Sequence, residues 1–212
     1  MLRNLFYCPL CSGETKDFFT GQHGKYYKCQ NCQSVLLHPN YYVTPEQEKD
    51  RYLEHNNDVN DPGYQNFVSP IVNSILKNQN PKDDGLDYGA GTGPVIAKLL
   101  HDRGYKIVTY DPLFDKKDIF NRHYDYIVSC EVIEHFHNPY KEFQRLKKML
   151  KSNGLLYCMT DLYDENIDFK SWHYKDDQTH VIFYHTKAIE WIQKHCGFSK
   201  AEKEGRLLLF YA

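Results

Sequence analysis

Residues 86–93, Leu86-Asp87-Tyr88-Gly89-Ala90-Gly91-Thr92-Gly93, decide the fold. An acidic residue and three alternate glycines follow a short strand and precede a helix-like run, residues 94–100. Glycine lets a strand turn sharply into a helix and lets main chain approach a ligand closely. About twenty residues on, Asp111 ends a second strand, residues 105–110, where a carboxylate can accept hydrogen bonds from ribose hydroxyls. The spacing is D-x-G-x-G-x-G, which differs from the dinucleotide spacing G-x-G-x-x-G.

Outward from this loop, strand and helix patterns alternate. Residues 124–130 (YDYIVSC) form a strand, and residues 139–150 an amphipathic helix. Asn153-Gly154 turns into a strand at 155–160, and residues 186–195 form a last helix capped by Gly197. Strands at 199–204 and 206–211 close the chain around a tight turn at Gly205. Upstream, Phe67, Ile71, Ile75 and Leu76 lie at helical spacing, which predicts one helix over 64–78 that stops at Asn80-Pro81. The alternation predicts an α/β fold: a doubly wound, mostly parallel sheet covered on both faces.

Seven cysteines divide into two kinds. Cys130, Cys158 and Cys196 stand alone in apolar surroundings and read as small buried hydrophobes. Cys8, Cys11, Cys29 and Cys32 form C-x2-C-x17-C-x2-C, a spacing that gathers four thiolates around one zinc ion. With Gly21, Gly24 and Tyr26-Tyr27 between the pairs, the segment looks like a zinc ribbon. Two disulfides are the alternative, set against a start, MLRNLFYCPLC, that lacks the apolar core of a secretory signal. A closed four-cysteine zinc site is structural, and about 10–16 kcal/mol of apparent metal binding could fold a piece too small for its own core. The expected organisation is a ribbon at 1–38, a connector at 39–63 with a short helix near 45–55, and an enzyme domain at 64–212.

Gross composition excludes other classes. The 212 residues, 41% of them hydrophobic, suffice for a core, and no run of about 18 apolar residues suggests a membrane span. A formal charge of −2 gives no overall basic excess for nucleic acid, although a local patch could suffice. The expectation is a cytoplasmic protein without a membrane partner. The sequence carries no pattern that sets an oligomeric state.

The glycine loop resembles motif I of the class I S-adenosylmethionine-dependent methyltransferases, whose fold is Rossmann-like. Three features extend the resemblance over residues 64–212. Cys130-Glu131-Val132-Ile133-Glu134-His135-Phe136 is similar to the E-V-[LI]-E-H segment that follows the fourth strand there. Asn138-Pro139 opens the next helix as in that family, and the strand at Gly154-Leu155-Leu156 follows in the same way. The resemblance implies S-adenosylmethionine as cofactor. Its methionine half and ribose would lie along Asp87, Tyr88, Gly89, Ala90, Gly91 and Gly93, with Asp111 and Pro112 beside the ribose and Cys130-Glu131 beside the methionine. One departure stands out: only residues 112–123 separate Asp111 from the next strand, where the family places a helix, a third strand and an adenine-contacting loop. Asp118-Ile119 is the remaining candidate to meet the adenine.

Methyl transfer from a sulfonium asks for in-line alignment of the acceptor and a base for its proton. His135, at the rim of the inferred cleft, and His180, shortly before the last helix, are the candidate bases. Residues 171–185 (SWHYKDDQTHVIFYH) offer either aromatic walls for an acceptor or a packed lid. Tyr163, Asp164 and Glu165 read as a solvated loop. The favoured function is methyl transfer to a small metabolite or sugar-like acceptor, slightly ahead of RNA. The alternative is a non-catalytic binding scaffold whose zinc ribbon recognises protein or nucleic acid.

Overall fold

The computed structural model describes residues 6–54 and 58–212. The chain begins with a meander of β1 (Thr15–Gly21), β2 (Gly24–Cys29) and β3 (Val35–Leu37), followed by helix α1 (Pro45–Leu53). Thr44 and Gln47 cap α1 reciprocally, side chain to main chain at each end of the box. Helices α2 (Pro62–Phe67) and α3 (Ser69–Asn78) occupy the stretch expected to be one helix. Pro70 is the reason for the break. It has no N–H, and its ring crowds the preceding turn, so it fits only at the start of a new helix.

The rest is a winding of strands and helices: β4 (Asp84–Tyr88), α4 (Val95–His101), β5 (Lys106–Tyr110), β6 (Tyr124–Cys130), α5 (Pro139–Met149) and β7 (Leu150–Met159). Then come β8 (Ile182–Phe183), α6 (Thr186–Cys196), β9 (Lys200–Glu204) and β10 (Leu207–Tyr211). Among the described residues the larger sheet has six strands in the order β5-β4-β6-β7-β10-β9. β4 runs parallel to β5 and β6, and β6 parallel to β7, while β10 is antiparallel to both of its neighbours. Strand β7 starts earlier than the Asn153-Gly154 turn suggested. Its first residues form a bulge, with Tyr124 opposite Leu150 but Tyr126 opposite Leu155.

Strand side chains alternate between two cores, as a period of two requires. Ile127, Leu156, Cys158, Leu208 and Phe210 face α5 and α6 (Phe143, Leu146, Ala188, Ile192). Tyr126, Val128, Tyr157, Met159, Leu207 and Leu209 face α3 and α4 (Ile71, Ile75, Val95, Leu100). Between Asp111 and β6 the chain forms no helix or strand beyond an isolated bridge, Asp111 with Asp115. β5 is therefore the sheet edge.

The N-terminal meander is joined to this body twice. β8, from the segment before α6, pairs with β3, so the small sheet runs β1-β2-β3-β8. Cys8, Leu10, Cys29, Cys32 and Leu36 also share a buried core with Phe143, Tyr184 and Ala188. A third cluster, Tyr26, Val35, Leu37, Tyr163, Phe169, Tyr174 and Phe183, packs the inner face of the small sheet onto residues 163–183. Tyr163, expected in solvent, is buried in this cluster, because its ring meets Phe169 edgewise and Trp172 at a tilt. Asp164 and Glu165 are exposed, and Glu165 reaches back to Lys28 at 2.8 Å.

Leu36 lies at this junction and is fully buried. Leu36→Ala is expected to cost about 2–5 kcal/mol. Denaturant unfolding should show it as one transition shifted for the whole chain. A separate early transition confined to the meander would contradict the shared core.

Candidate functional site

In an open parallel sheet, the loops at the strand carboxyl ends part where the winding reverses direction. Here the chain leaves β4 for β5 on one side and returns to β6 on the other, so the crevice opens between the loops after β4 and β6. Residues 89–94, Asp111, Glu131–His135 and Thr160 all leave the carboxyl ends of these strands and of β7.

The loop after β4 is shaped by main chain. Gly89 (φ +87°) and Gly91 (φ +60°) adopt left-handed backbone. A Cβ on Gly89 would come within 2.5 Å of the Val132 side chain, which binds the two loops closely together. A Cβ on Gly91 would meet nothing within 4 Å, so the space over that residue is open to a ligand. The amides of Gly89 and Ala90 donate to the Tyr110 carbonyl at 2.8 and 3.0 Å. Tyr88 is buried, and its hydroxyl donates to Glu142 of α5 at 2.8 Å, so only its main chain can serve the loop.

Asp111 is buried, and its carboxylate accepts three main-chain N–H groups. Gly91 donates to Oδ2 at 3.0 Å, and Leu113 and Phe114 donate to Oδ1 at 2.8 and 3.0 Å. A single side chain thus fixes the glycine loop and the turn after β5, with lone pairs remaining for further donors. Pro112 and Asp118 are exposed, and Asp118 accepts from Asn121 at 3.2 Å. Ile119 is sealed in the core.

Asp87 is 4% exposed. Burial lifts its carboxyl to about 7, with the Ala97 amide opposing and Asp111 adding to the rise. Cys130 is a neutral thiol, since burial and then Glu131 push it well above the ordinary value. Glu131 takes a left-handed backbone (φ +52°), and its amide donates to the Met159 carbonyl at 2.8 Å. Arg206 donates to both of its carboxylate oxygens at 2.8 Å and pairs with Asp161 at 2.7 Å. Burial nonetheless raises Glu131 to about 7 against the pull of Arg206.

Glu134 is fully buried. Its carboxylate accepts from the Tyr174 hydroxyl and, at 3.3 Å, from the Thr160 hydroxyl. The Tyr174 oxygen also lies 3.2 Å from Glu131, so it stands between the two acids with its one hydrogen given to Glu134. Burial and then the neighbouring Glu131 raise Glu134 to about 8. His135 and His180, read separately in the sequence, come together with ring centroids 4.8 Å apart. His135 Nδ1 lies 3.0 Å from the Thr179 carbonyl, and His180 Nδ1 lies 2.7 Å from the Tyr174 carbonyl. Asp177 closes this corner, accepting from Thr179 and pairing with Arg51 of α1 at 3.0 Å. Burial would raise Asp177, but the Thr179 hydrogen bonds, His180 and Arg51 outweigh it and hold the carboxylate below its usual range.

Sequence reasoning missed Thr160, Arg206 and Asp177, and it read Tyr174 only as one aromatic wall of the 171–185 segment. Glu134 lay inside the quoted E-V-I-E-H segment, and Arg206 just past the Gly205 turn, so both were legible as polar residues at strand ends. Tyr174 and Asp177 lie in an irregular segment with no periodic signal.

A second centre is formed by the cysteines. Cys8, Cys11, Cys29 and Cys32 cluster with Sγ distances of 3.7 Å (Cys8–Cys32) and 3.4 Å (Cys11–Cys29) and form no disulfides. Four sulfurs around zinc at about 2.3 Å stand about 3.8 Å apart, close to these separations. The two C-x2-C turns mirror each other. Cys8 N donates to the Gly13 carbonyl and Cys29 N to the Ser34 carbonyl, both at 2.9 Å, and Ser12 and Gln33 both take positive φ (+55° and +61°). A Cβ on Gly13 would press within 3.1 Å of Cys29 Sγ and 3.2 Å of Cys11 Sγ, so this glycine makes room for the thiolates.

A family profile described as "Methyltransferase domain" matches residues 62–203. No curated protein sequence matches the chain. Among solved structures, an O-methyltransferase family protein from Burkholderia thailandensis is similar at 12% identity and TM-score 0.51, over 77% of this chain and 61% of that one. A candidate O-methyltransferase of Nostoc punctiforme is similar at 12% identity and TM-score 0.50, over 70% and 56%. PigF with SAH is similar at 13% identity and TM-score 0.48, over 70% and 57%. The chain thus spans between 56% and 61% of the length of these proteins. At such identities the two likenesses at 0.50 and above speak for the fold. Among the described residues no helix is long and apolar enough to cross a membrane.

The raised Asp87 acidity has a sign that can be measured. Unfolded, its carboxyl titrates near 3.8, and folded near 7, so between these values the native state holds the extra proton. Stability of the ligand-free protein should therefore fall as pH rises from about 4 through 7, by on the order of 4 kcal/mol from this group. Asp87→Asn should flatten that slope and raise the melting temperature at pH 8. An unchanged pH profile in the variant would contradict the assignment.

Proposed function

Because the chain belongs to the methyltransferase-domain family, we propose that it is an S-adenosylmethionine-dependent methyltransferase acting on a small or sugar-like acceptor. The carrying observation is the loop over residues 89–94, open above Gly91 and tied to Asp111, at the reversal point of the sheet. In this reading the ribose hydroxyls donate to the Asp111 carboxylate and the Gly89–Gly91 main chain lies along the methionine half. Asp87, ionised by the arriving positive charge, orients the amino end. Cys130 and Glu131 form the opposite lip. When bound, the cofactor supplies a methyl group already activated on sulfur. The chain's own task is to hold the acceptor in line and remove its proton, and His135 and His180 are the proposed groups for that proton.

The charges favour a small acceptor over RNA. Asp111, Asp161 and Asp177 border the crevice beside the proton-holding acids Asp87, Glu131 and Glu134, and the two arginines there, Arg51 and Arg206, are already paired. Such a rim repels a phosphate backbone. We also propose one structural zinc held by Cys8, Cys11, Cys29 and Cys32, which would stiffen the small sheet that the aromatic cluster under residues 163–183 rests on.

Calorimetry with S-adenosylmethionine and S-adenosylhomocysteine tests the first proposal. Both should bind the wild-type protein, and Asp111→Asn should weaken each by about tenfold or more while the protein stays folded. No heat at millimolar ligand with folded protein would refute it. Elemental analysis tests the second: one zinc per chain is expected. Its removal by a chelator should change the fluorescence of Trp172, which packs on Phe183 with centroids 5.5 Å apart, and a silent Trp172 would contradict the coupling.

A further inference from the structure

The corner where His135, His180 and Glu134 meet has the construction of a metal site. One nitrogen of each imidazole and one carboxylate oxygen of Glu134 lie within 4.8 Å of one another. Around a first-row cation at about 2.1 Å, donor atoms stand about 3–3.4 Å apart, so small side-chain rotations would close the set. The cluster is well enclosed, with Glu134 fully buried, His180 8% exposed and His135 partly covered.

The surroundings prepare these side chains as ligands. The Nδ1 atoms of His135 and His180 face main-chain carbonyls of Thr179 and Tyr174. A carbonyl can only accept, so each neutral ring carries its hydrogen on Nδ1, and Nε2 becomes the atom able to bind a cation. A ligating histidine that donates its other N–H to a backbone carbonyl is held in one tautomer and one orientation. Glu134 is steadied in the same way by the hydroxyls of Tyr174 and Thr160. Glu131, the other nearby acid, is committed to Arg206 and stands outside the set.

We infer that Glu134, His135 and His180 form a second metal site, separate from the cysteine cluster, that takes a divalent first-row cation. Two imidazoles and one carboxylate occupy one side of such an ion and leave positions open on the other. That geometry suits an acceptor offering two adjacent oxygens, such as a vicinal diol or a hydroxy-carbonyl compound. The role in catalysis rests on the methyltransferase reading above. A bound cation lowers the pKa of a ligated hydroxyl. The two histidines then act through the cation in place of the direct proton removal proposed above: the acceptor O–H bond breaks with the proton released to solvent, and the oxygen forms a bond to the methyl carbon. The carbon–sulfur bond breaks as this happens, with its electron pair left on sulfur. Metal binding itself does not depend on that reading.

The test uses full-length protein with its cysteine site already filled by zinc, titrated with Mn(II) alone and followed by electron paramagnetic resonance of the free ion. One Mn(II) per chain should be taken up without cofactor or acceptor. His180→Ala and His135→Ala should each weaken uptake by about tenfold or more, and the double variant should abolish it. On the wild-type complex, electron spin-echo modulation should show imidazole nitrogen coupled to the manganese, a readout that does not rely on the variants folding. Undiminished free-ion signal at millimolar Mn(II), unchanged uptake in the folded double variant, or no nitrogen coupling would each overturn the site. Binding of S-adenosylhomocysteine, measured by calorimetry on the same zinc-loaded protein without manganese, separates failure of this site from failure of the methyltransferase reading.

Discussion

One buried carboxylate organises the crevice. Asp111 ends β5, yet its side chain gathers amides from Gly91 on the neighbouring loop and from Leu113 and Phe114 beyond the strand. Hydrogen bonds to a charged acceptor in a low-dielectric setting are strong, and three together fix a loop that two glycines would otherwise leave loose. In the proposed function, the same atoms that shape the loop are those offered to a ribose. Structure and proposed function therefore converge on one residue, and removing it should disturb both.

The remaining acids of the crevice are held under tension. Asp87 and Glu134 are buried and Glu131 is half-buried, and all three hold protons more tightly than exposed carboxyls do. A fold optimised for stability alone would not carry three such groups at one rim. Cations relieve the cost, whether the Arg206 guanidinium, the positive charge of a sulfonium cofactor or a metal ion. Stability given up without ligand becomes binding energy with it.

The N-terminal meander belongs to the same economy of contacts. Its four-cysteine cluster was legible from the spacing, but its docking was not, because the joining strand, Ile182–Phe183, is two residues long and carries no periodicity. Its partner segment holds Tyr174 and His180, so the ribbon sheet and the proposed site share one wall. Elsewhere, strong periodic signals located β4, β5, β6, α5, α6 and the closing hairpin to within a few residues. Local chemistry overruled pattern in two places: Pro70 split a helix that apolar spacing drew as continuous, and aromatic packing drew Tyr163 inward from a polar stretch. The short interval at 112–123 was legible as a missing element, and the sheet indeed ends at β5. Of the crevice, the glycine loop, Asp111 and both histidines could be named in advance. That the histidines meet, with Glu134 between hydroxyls beside them, depends on how residues 161–181 fold back, which no local rule encodes.

A crystal structure of the complex with S-adenosylhomocysteine is the most direct measurement. The account predicts ribose hydroxyls on the Asp111 carboxylate, the nucleoside passing over Gly91, and the sulfur facing the Glu131–His135 lip. A nucleoside found at another surface, or a crevice filled by the protein's own side chains, would contradict it.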